Sequence, residues 1–192
     1  MAHRGSDDDD DDYNDNEDDF GGALLKGAVG AVAATVALDR LDWYMWNHLD
    51  PETRERTRSV RPGRLDPGHV IARKIARAMG TDIEPKGPDN QHPAGVAVHL
   101  ALGMGPALAY AAMRDRAPAL TAGGGTLFGL GLFLVHDEGL NTITGAGAKP
   151  QDYPWQAHAR GLIAHLVYGL VLEGTMRMID GPPGRRRPRR RR

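Results

Sequence analysis

The sequence predicts an all-α fold, a polytopic membrane helix bundle of about four transmembrane helices with one short amphipathic interfacial helix. The first observation behind this prediction is a series of mainly apolar stretches, at residues 20–41, 94–113, 119–135 and 161–179. A helix needs roughly 20 apolar residues to cross the hydrocarbon core, and about 17 suffice in a thin bilayer. The second observation is that these stretches are rich in glycine and alanine, which is typical of closely packed membrane helices.

The first span, residues 20–41, is small and apolar, and Lys26 lies near its start, where a long amine can reach the headgroups. Charged and aromatic residues alternate at its far end, residues 39–46. Such a mixture is typical of the membrane interface, where aromatic rings lie at the headgroup level. A buried helix of a soluble protein would have a similar composition, so this segment alone leaves that alternative open.

The polar loop at residues 47–93 contains one predicted helix. Asp66 can cap this helix and Pro67 suits its first turn, after which apolar residues recur at helical spacing. The cations on the opposite face are predicted to contact anionic lipid headgroups at the bilayer surface: Arg73, Lys74 and Arg77. Packing of the apolar face against the bundle would give the same periodicity, and the sequence favours neither interpretation.

Both ends of the chain are predicted to be disordered tails that flank a membrane helix domain at residues 20–180. The acidic tail, residues 1–19, and the Arg-rich tail, residues 181–192, carry like charges with few apolar side chains. Burial therefore cannot offset the entropy lost on ordering. Three arginines of the second tail are predicted to contact the anionic lipid of the bilayer: Arg185, Arg186 and Arg187. No folded reader domain accompanies this tail, so we expect no specific nucleic acid partner.

Two pairs of small residues predict close helix contacts. Gly125 and Gly129 form one pair, and Ala101 and Gly105 form the other. Small residues four positions apart let helix backbones approach each other in lipid. These contacts can form within the chain or between copies, so a homo-oligomer through Gly-rich helix faces is one expectation.

Titratable residues in or beside the spans form the candidate intramembrane polar site: His99, His136, His158, His165 and Glu173. Such groups are costly in hydrocarbon and usually face the interior of a bundle. The last three lie near one helical face by their spacing. Because imidazole titrates near neutral pH, we expect the set to bind or relay protons. The alternative is that each side chain only forms a hydrogen bond with a neighbouring helix.

Other chemistry has less support. The chain has no cysteine, which excludes disulfides and thiolate metal sites. A metal or haem held by His pairs is a third alternative, but no pair has the tight spacing of a metal-binding helix. No catalytic motif is visible, so we predict no cofactor and no enzymatic activity. Asp137 and Glu138 are interpreted as the solvated end of the third span.

An ordered set of residues runs through the second half of the chain: His99, Tyr110 at the end of the same span, His136 closing a Gly-rich span, the Tyr153-Pro154-Trp155 loop, His165 and Glu173. This order resembles the YagU-like inner-membrane proteins, over residues 95–177. The resemblance implies a multi-pass protein of the cell inner membrane whose biochemical activity is unassigned.

Two classes of function follow from these observations. The first is a proton-responsive or small-solute or ion-conducting membrane protein that uses the intramembrane His and Glu residues. The second is a membrane scaffold or adaptor whose charged tails contact lipid or partner proteins, and a soluble helical protein with nucleic-acid-binding tails is a third class. An even number of spans places both termini on one side, and the basic carboxyl tail favours the cytoplasm, although the basic first loop favours the opposite orientation.

Overall fold

The computed structural model describes residues 7–84 and 92–181, with side chains from Phe20 onward. Within these ranges the chain forms helices and no strand, which confirms the predicted all-α class. The α-helices are α1 (Asp7–His48), α2 (Pro51–Val60), α3 (Pro67–Ala78), α4 (Pro93–Met113), α5 (Thr126–Leu132), α6 (Asn141–Ile143) and α7 (Trp155–Asp180). Short 3₁₀ segments occupy Pro62–Arg64, Pro118–Gly125 and Pro150–Asp152, and a π-helical segment occupies Phe133–Leu140.

Among the described residues, four helical stretches are long and apolar enough to cross a membrane: Phe20–His48, Pro93–Met113, Pro118–Ile143 and Trp155–Asp180. All four predicted spans are therefore present, and each extends beyond its predicted end or start. Large apolar side chains on them point away from the protein, among them Leu25, Val32 and Leu134. So much outward apolar surface is compatible with an integral membrane protein, in which lipid covers it.

The four spans alternate in direction, so the bundle has two ends. The terminal end holds the start of the first span, the connection at residues 114–117 and the last turn of α7. The loop end holds the two longer connections, residues 49–92 and 144–154. Charged residues from different helices meet at each end, because the ends of the spans are the least costly place for charge.

Small residues set the spacing of the central helices. α1 packs against both α4 and α7. A Cβ atom at Gly27 would lie 2.5 Å from the Cβ of Ala111 on α4, and one at Gly30 would lie 2.8 Å from the Leu172 side chain on α7. The core between the helices is formed by buried side chains: Ala31, Ala34, Ala107, Tyr110, Ala111, Leu132, Tyr168, Leu172 and Met176. Close approach of backbones thus replaces large interlocking side chains over much of this interface.

The third span is not one continuous α-helix. Gly123, Gly124 and Gly125 adopt φ angles of 60°, 68° and 94°, so regular helix begins only at Thr126. Glycine tolerates this left-handed backbone because it has no Cβ. After seven residues α5 passes directly into the π segment at Phe133–Leu140. π segments are rare and occur frequently at functional positions.

Backbone contact joins the third span to α7. A Cβ atom at Gly125 would lie 2.2 Å from the carbonyl oxygen of Gly169, and one at Gly129 would lie 2.2 Å from that of His165. No side chain fits at either glycine unless the helices separate. The predicted pair Gly125 and Gly129 therefore makes its contacts within the chain.

The loop at residues 47–93 contains a second helix, α2, that the sequence analysis did not predict. Asp50 caps α2 by accepting a hydrogen bond from the Thr53 N–H at 2.8 Å, and the same bond holds the pKa of the Asp50 carboxyl below its ordinary value. Asp66 caps α3 in the same manner, as predicted, from the His69 N–H at 3.2 Å. Each cap precedes a proline at the start of its helix, so α2 carries the same sequence signal as α3.

α3 packs against the start of α4, which agrees with bundle packing for one part of its apolar face. Gly68 lies so close to α4 that a Cβ atom there would be 3.0 Å from the Gly95 carbonyl oxygen. Ile75 and Met79 stay exposed on the same helix, at 50% and 77%. A lipid contact of this second patch remains a prediction.

The three cations of α3 bind partners within the chain. Arg73 and Arg77 pair with Asp82 at 3.2 and 3.0 Å, and their hydrogen bonds lower the pKa of the Asp82 carboxyl to about 2. Lys74 donates to the carbonyl oxygens of Thr144 and Gly145 at 2.5 and 3.1 Å, and so ties α3 to the other connection at the loop end.

α1 begins at Asp7, so residues 7–19 are helical where the sequence predicts disorder. The extension is favoured because a helix that grows from an existing span needs no new nucleus. Residues 1–6, 85–91 and 182–192 lie outside the described residues, and so do the predicted lipid contacts of Arg185, Arg186 and Arg187.

Candidate functional site

The π segment of the third span presents two adjacent carboxylates to α7. Glu138 lies 2.6 Å from the His158 ring, and Asp137 lies 3.7 Å from the His165 ring. The wider turn of a π-helix lets both neighbours reach the same helix. These carboxylates are therefore paired with histidines, rather than solvated at a span end as the sequence analysis expects. We call Asp137, Glu138, His158 and His165 the titratable seam.

His158 bridges two acceptors. Its Nδ1 lies 2.6 Å from Glu138 Oε1, and its Nε2 lies 3.0 Å from the carbonyl oxygen of Pro150. A carbonyl oxygen can only accept a hydrogen bond, and so can an ionised carboxylate. Both contacts are satisfied together when the ring carries two hydrogens, as imidazolium. A neutral ring has one N–H and satisfies one of the two.

His165 lies deeper along α7, and its hydrogen bond fixes its tautomer. Its Nδ1 lies 2.8 Å from the Gly161 carbonyl oxygen, so Nδ1 carries the hydrogen and Nε2 is the atom that can take up a second proton. Gly161 also makes room for the neighbouring carboxylate, because a Cβ atom there would lie 2.7 Å from Asp137 Oδ2 and 3.1 Å from the Phe133 ring. The carboxylate position thus depends on this glycine.

The other predicted site residues lie apart from the titratable seam. His136 is half-buried on the π segment, and its side chain forms no hydrogen bond with any part of the chain that the structure describes. His99 lies between α4 and α1, where its Nε2 is 2.9 Å from Asp39 Oδ1 and both side chains are nearly half exposed.

Glu173 is enclosed in an ion-pair network at the terminal end. It is 1% exposed and accepts hydrogen bonds from the Tyr110 hydroxyl at 2.6 Å and from the Arg177 Nε at 2.5 Å. Arg114 Nε lies 3.3 Å from the same carboxylate, and the other end of this guanidinium donates to Asp180 at 2.9 Å. Lys26 of the first span also donates to Asp180, at 2.6 Å. We call these residues the terminal cluster.

The structure therefore separates the predicted polar track into two sites. His165 and Glu173 are eight residues apart, about 12 Å along the helix, and the buried side chains of Tyr168 and Leu172 lie between them. The Tyr168 hydroxyl donates to the Gly103 carbonyl oxygen and so does not link the two sites.

Sequence reasoning missed most members of the terminal cluster. Arg114 and Asp180 were not among the predicted site residues, and Tyr110 entered only through a family resemblance. A usable signal was present, because an even number of spans places the start of the first, the end of the second and the end of the fourth on one side. Lys26, Arg114 and Asp180 occupy those three ends with complementary charge.

The titratable seam offers proton donors and acceptors. In the part of the chain that the structure describes, no group of three or more ligating side chains is placed to hold a metal ion.

Comparisons of the chain with family models, curated proteins and solved structures give no significant match.

Proposed function

We propose that this chain is a proton-responsive integral membrane protein whose titratable seam sets how the third span packs on α7. The observation that carries this proposal is the double contact of His158, at 2.6 Å to Glu138 and 3.0 Å to the Pro150 carbonyl oxygen. Imidazole is the side chain whose ordinary charge change falls between about pH 5 and pH 8. A histidine that needs both hydrogens to hold two segments together couples its protonation to the contact between those segments.

Protonation closes the seam in this proposal, and deprotonation loosens it. Imidazolium at His158 joins α7 to the π segment and to the connection at residues 144–154. Loss of one proton removes one of these hydrogen bonds. His165 adds a second response, because a proton on its Nε2 would strengthen the attraction to Asp137 across 3.7 Å.

The proposal is a pH-dependent permeability to protons or small ions and not a permanently open path. The interface between the third span and α7 is closed by backbone contacts, because Gly125 and Gly129 lie directly against α7. Passage requires the third span to move away from α7, and the terminal cluster then faces the opened region with the guanidinium groups of Arg114 and Arg177.

We further propose that the bilayer is the cell inner membrane, with both termini in the cytoplasm, and that the protein is of the YagU-like type without enzymatic activity. The residue order over 95–177 supports the type. Cytoplasmic termini are supported by the cations that the terminal end collects: Lys26, Arg114, Arg116 and Arg177.

Proton entry into dye-loaded liposomes tests the function. We expect reconstituted protein to admit protons several-fold faster at about pH 7.5 than at about pH 5.5, because each proton lost from His158 removes one of the hydrogen bonds that hold the third span to α7. His158→Gln removes the charge change at the double contact and should remove most of the difference between the two pH values, leaving only the smaller response of His165. His99→Gln, which alters a histidine outside the seam, is the matched control and should keep the pH response.

Two results would contradict the proposal. One is a wild-type rate equal to that of empty liposomes at both pH values, and the other is an unchanged pH response in His158→Gln. The first result would favour the scaffold alternative, in which deletion of residues 182–192 releases bound partners while the seam variants retain them.

A further inference from the structure

Exposed aromatic residues mark the headgroup level at the loop end. Trp43 and Tyr44 close the first span and are 65% and 55% exposed, and Trp155 opens α7 and is 72% exposed. Trp and Tyr are enriched where a span leaves the hydrocarbon, because their rings are apolar with one polar group. Side chains beside these three residues therefore lie at the depth of lipid phosphates.

Three arginines surround Trp46 at this depth. The guanidinium carbons of Arg58, Arg61 and Arg160 lie 5.2, 5.8 and 5.0 Å from the centre of its ring. They come from α2, from the residue after α2 and from α7, so the folded chain brings together groups that are far apart in sequence. We call Trp46 and the three arginines the arginine cage.

The charge of the arginine cage is not balanced by the residues around it. Asp42 pairs with Arg160, but no carboxylate among the described residues pairs with Arg58 or Arg61. The Nε of Arg160 is buried, and no described group accepts a hydrogen bond from it. Burial and the nearby charge of Arg160 lower the pKa of Arg61. Like charges held close together beside an unused donor form an arrangement that an anion would stabilise.

We propose that the arginine cage binds a phosphate-bearing anion. A guanidinium presents several N–H donors in a planar fork that matches phosphate oxygens, and it stacks on an aromatic ring without losing those donors. Arg58 and Arg61 supply the free charge, Arg160 supplies the unused Nε donor, and Trp46 holds the three groups in place. The phosphate can come from an anionic lipid or from solution, since both reach the headgroup level.

Stacking on Trp46 alone does not account for the arrangement. One guanidinium over the ring would gain the cation–π attraction. A second and a third add repulsion between cations, and Asp42 offsets one charge only. A bound phosphate offsets the repulsion between the guanidinium groups and so stabilises the arrangement.

Thermal unfolding of the full chain in a neutral detergent tests the proposal. Phosphatidylglycerol, phosphatidylcholine and inorganic phosphate are each added to the purified protein. A ligand that binds the native state raises the Tm, so phosphatidylglycerol should raise it by several degrees if the source is lipid, and inorganic phosphate should do so if the source is free anion. Phosphatidylcholine has no net negative charge and controls for the general effect of lipid.

Variants locate the effect. Arg58→Gln and Arg61→Gln should each remove most of the rise in Tm. Arg61→Gln should also leave the Tm without ligand unchanged or raised, because it removes a like charge from the cage. Arg56→Gln is the matched control, since Arg56 is exposed on the same helix and should keep the full rise.

The proposal is overturned if neither phosphatidylglycerol nor inorganic phosphate raises the Tm more than phosphatidylcholine does. It is also overturned if Arg61→Gln lowers the Tm without ligand and keeps the full rise on addition of the anion. That second outcome would mean that the arginine cage stabilises the packing of the helices and binds no anion.

Discussion

Glu173 illustrates how a single buried charge is held in this protein. Its carboxylate is 1% exposed and contacts Tyr110, Arg114 and Arg177, three donors from two helices. A buried ion pair is costly to form, and removal of one partner leaves the other charge without compensation. These contacts agree with the alternative that the sequence analysis left open, in which Glu173 forms hydrogen bonds with a neighbouring helix, and its role in moving protons remains a prediction.

We predict that Glu173→Gln lowers the free energy of unfolding by about 1–3 kcal/mol, because the buried Arg114 keeps Asp180 but loses one of its two carboxylate partners. Unfolding in a denaturing detergent, followed by circular dichroism, measures this. Asp115→Asn, at an exposed residue of the same end, is the control and should have little effect. If the Glu173→Gln protein is stable but loses pH-dependent proton entry, the result would indicate that Glu173 takes part in proton movement.

The sequence identified the titratable residues but not their pairing. His158 and His165 could be placed on one face of a helix from their spacing alone. The partners Asp137 and Glu138 could not be placed, because they reach α7 only through the wider turn of the π segment. A π segment depends on contacts with another helix, so the periodicity of a single helix does not predict it.

At the scale of elements, the contact between the third span and α7 depends on glycine at defined positions. A Cβ atom at Gly169 would lie 2.2 Å from the Gly125 carbonyl oxygen, and backbone cannot move aside as a side chain can. Gly174 lies one turn further along α7, and no atom lies within 4 Å of a Cβ built there. The two glycines therefore provide a direct comparison.

We predict that Gly169→Ala destabilises the bundle by about 1–3 kcal/mol, the usual cost of overpacking. Gly174→Ala should be neutral or slightly stabilising, since alanine is the better helix former by about 1 kcal/mol. Thermal unfolding of both variants in the same detergent compares them. Equal stability of the two variants would contradict the close contact at Gly125.

The sequence predicted the elements with unequal success, for physical reasons. The four spans and the start of α3 follow from local signals, namely apolar length and an Asp-Pro cap, and these are confirmed. The interruption at residues 122–125 does not follow, because glycines in a membrane helix more often serve packing than left-handed backbone. α2 could have been predicted, since Asp50 and Pro51 repeat the cap of α3.

At the scale of the whole molecule, the two ends differ in how their charges are used. At the terminal end, carboxylates pair with the cations Lys26, Arg114 and Arg177, whereas the loop end contains the unbalanced arginine cage. The positive-inside rule counts basic residues near the spans, and both ends contain many of them. The charges at the two ends therefore do not by themselves determine the orientation of the bundle.

We predict that reporter enzymes fused after Asp115 and at the carboxyl terminus report a cytoplasmic location, and that one fused after Lys149 reports the opposite side. The reason is that the Arg-rich tail directly follows the last span and adds to Lys26, Arg114, Arg116 and Arg177. Alkaline phosphatase and green fluorescent protein are fused at the same three positions, and each position should give a signal from one of the two reporters and not from the other. Phosphatase activity after Asp115 would reverse the assigned orientation.

The broken start of the third span also bears on how the protein is made. Hydrocarbon offers no partner for the irregular peptide groups at residues 122–125, and only protein can shield them there. Gly169, which covers Gly125, is synthesised more than forty residues later. In the proposed membrane location, the third span would therefore complete its packing only after the last helix has been synthesised.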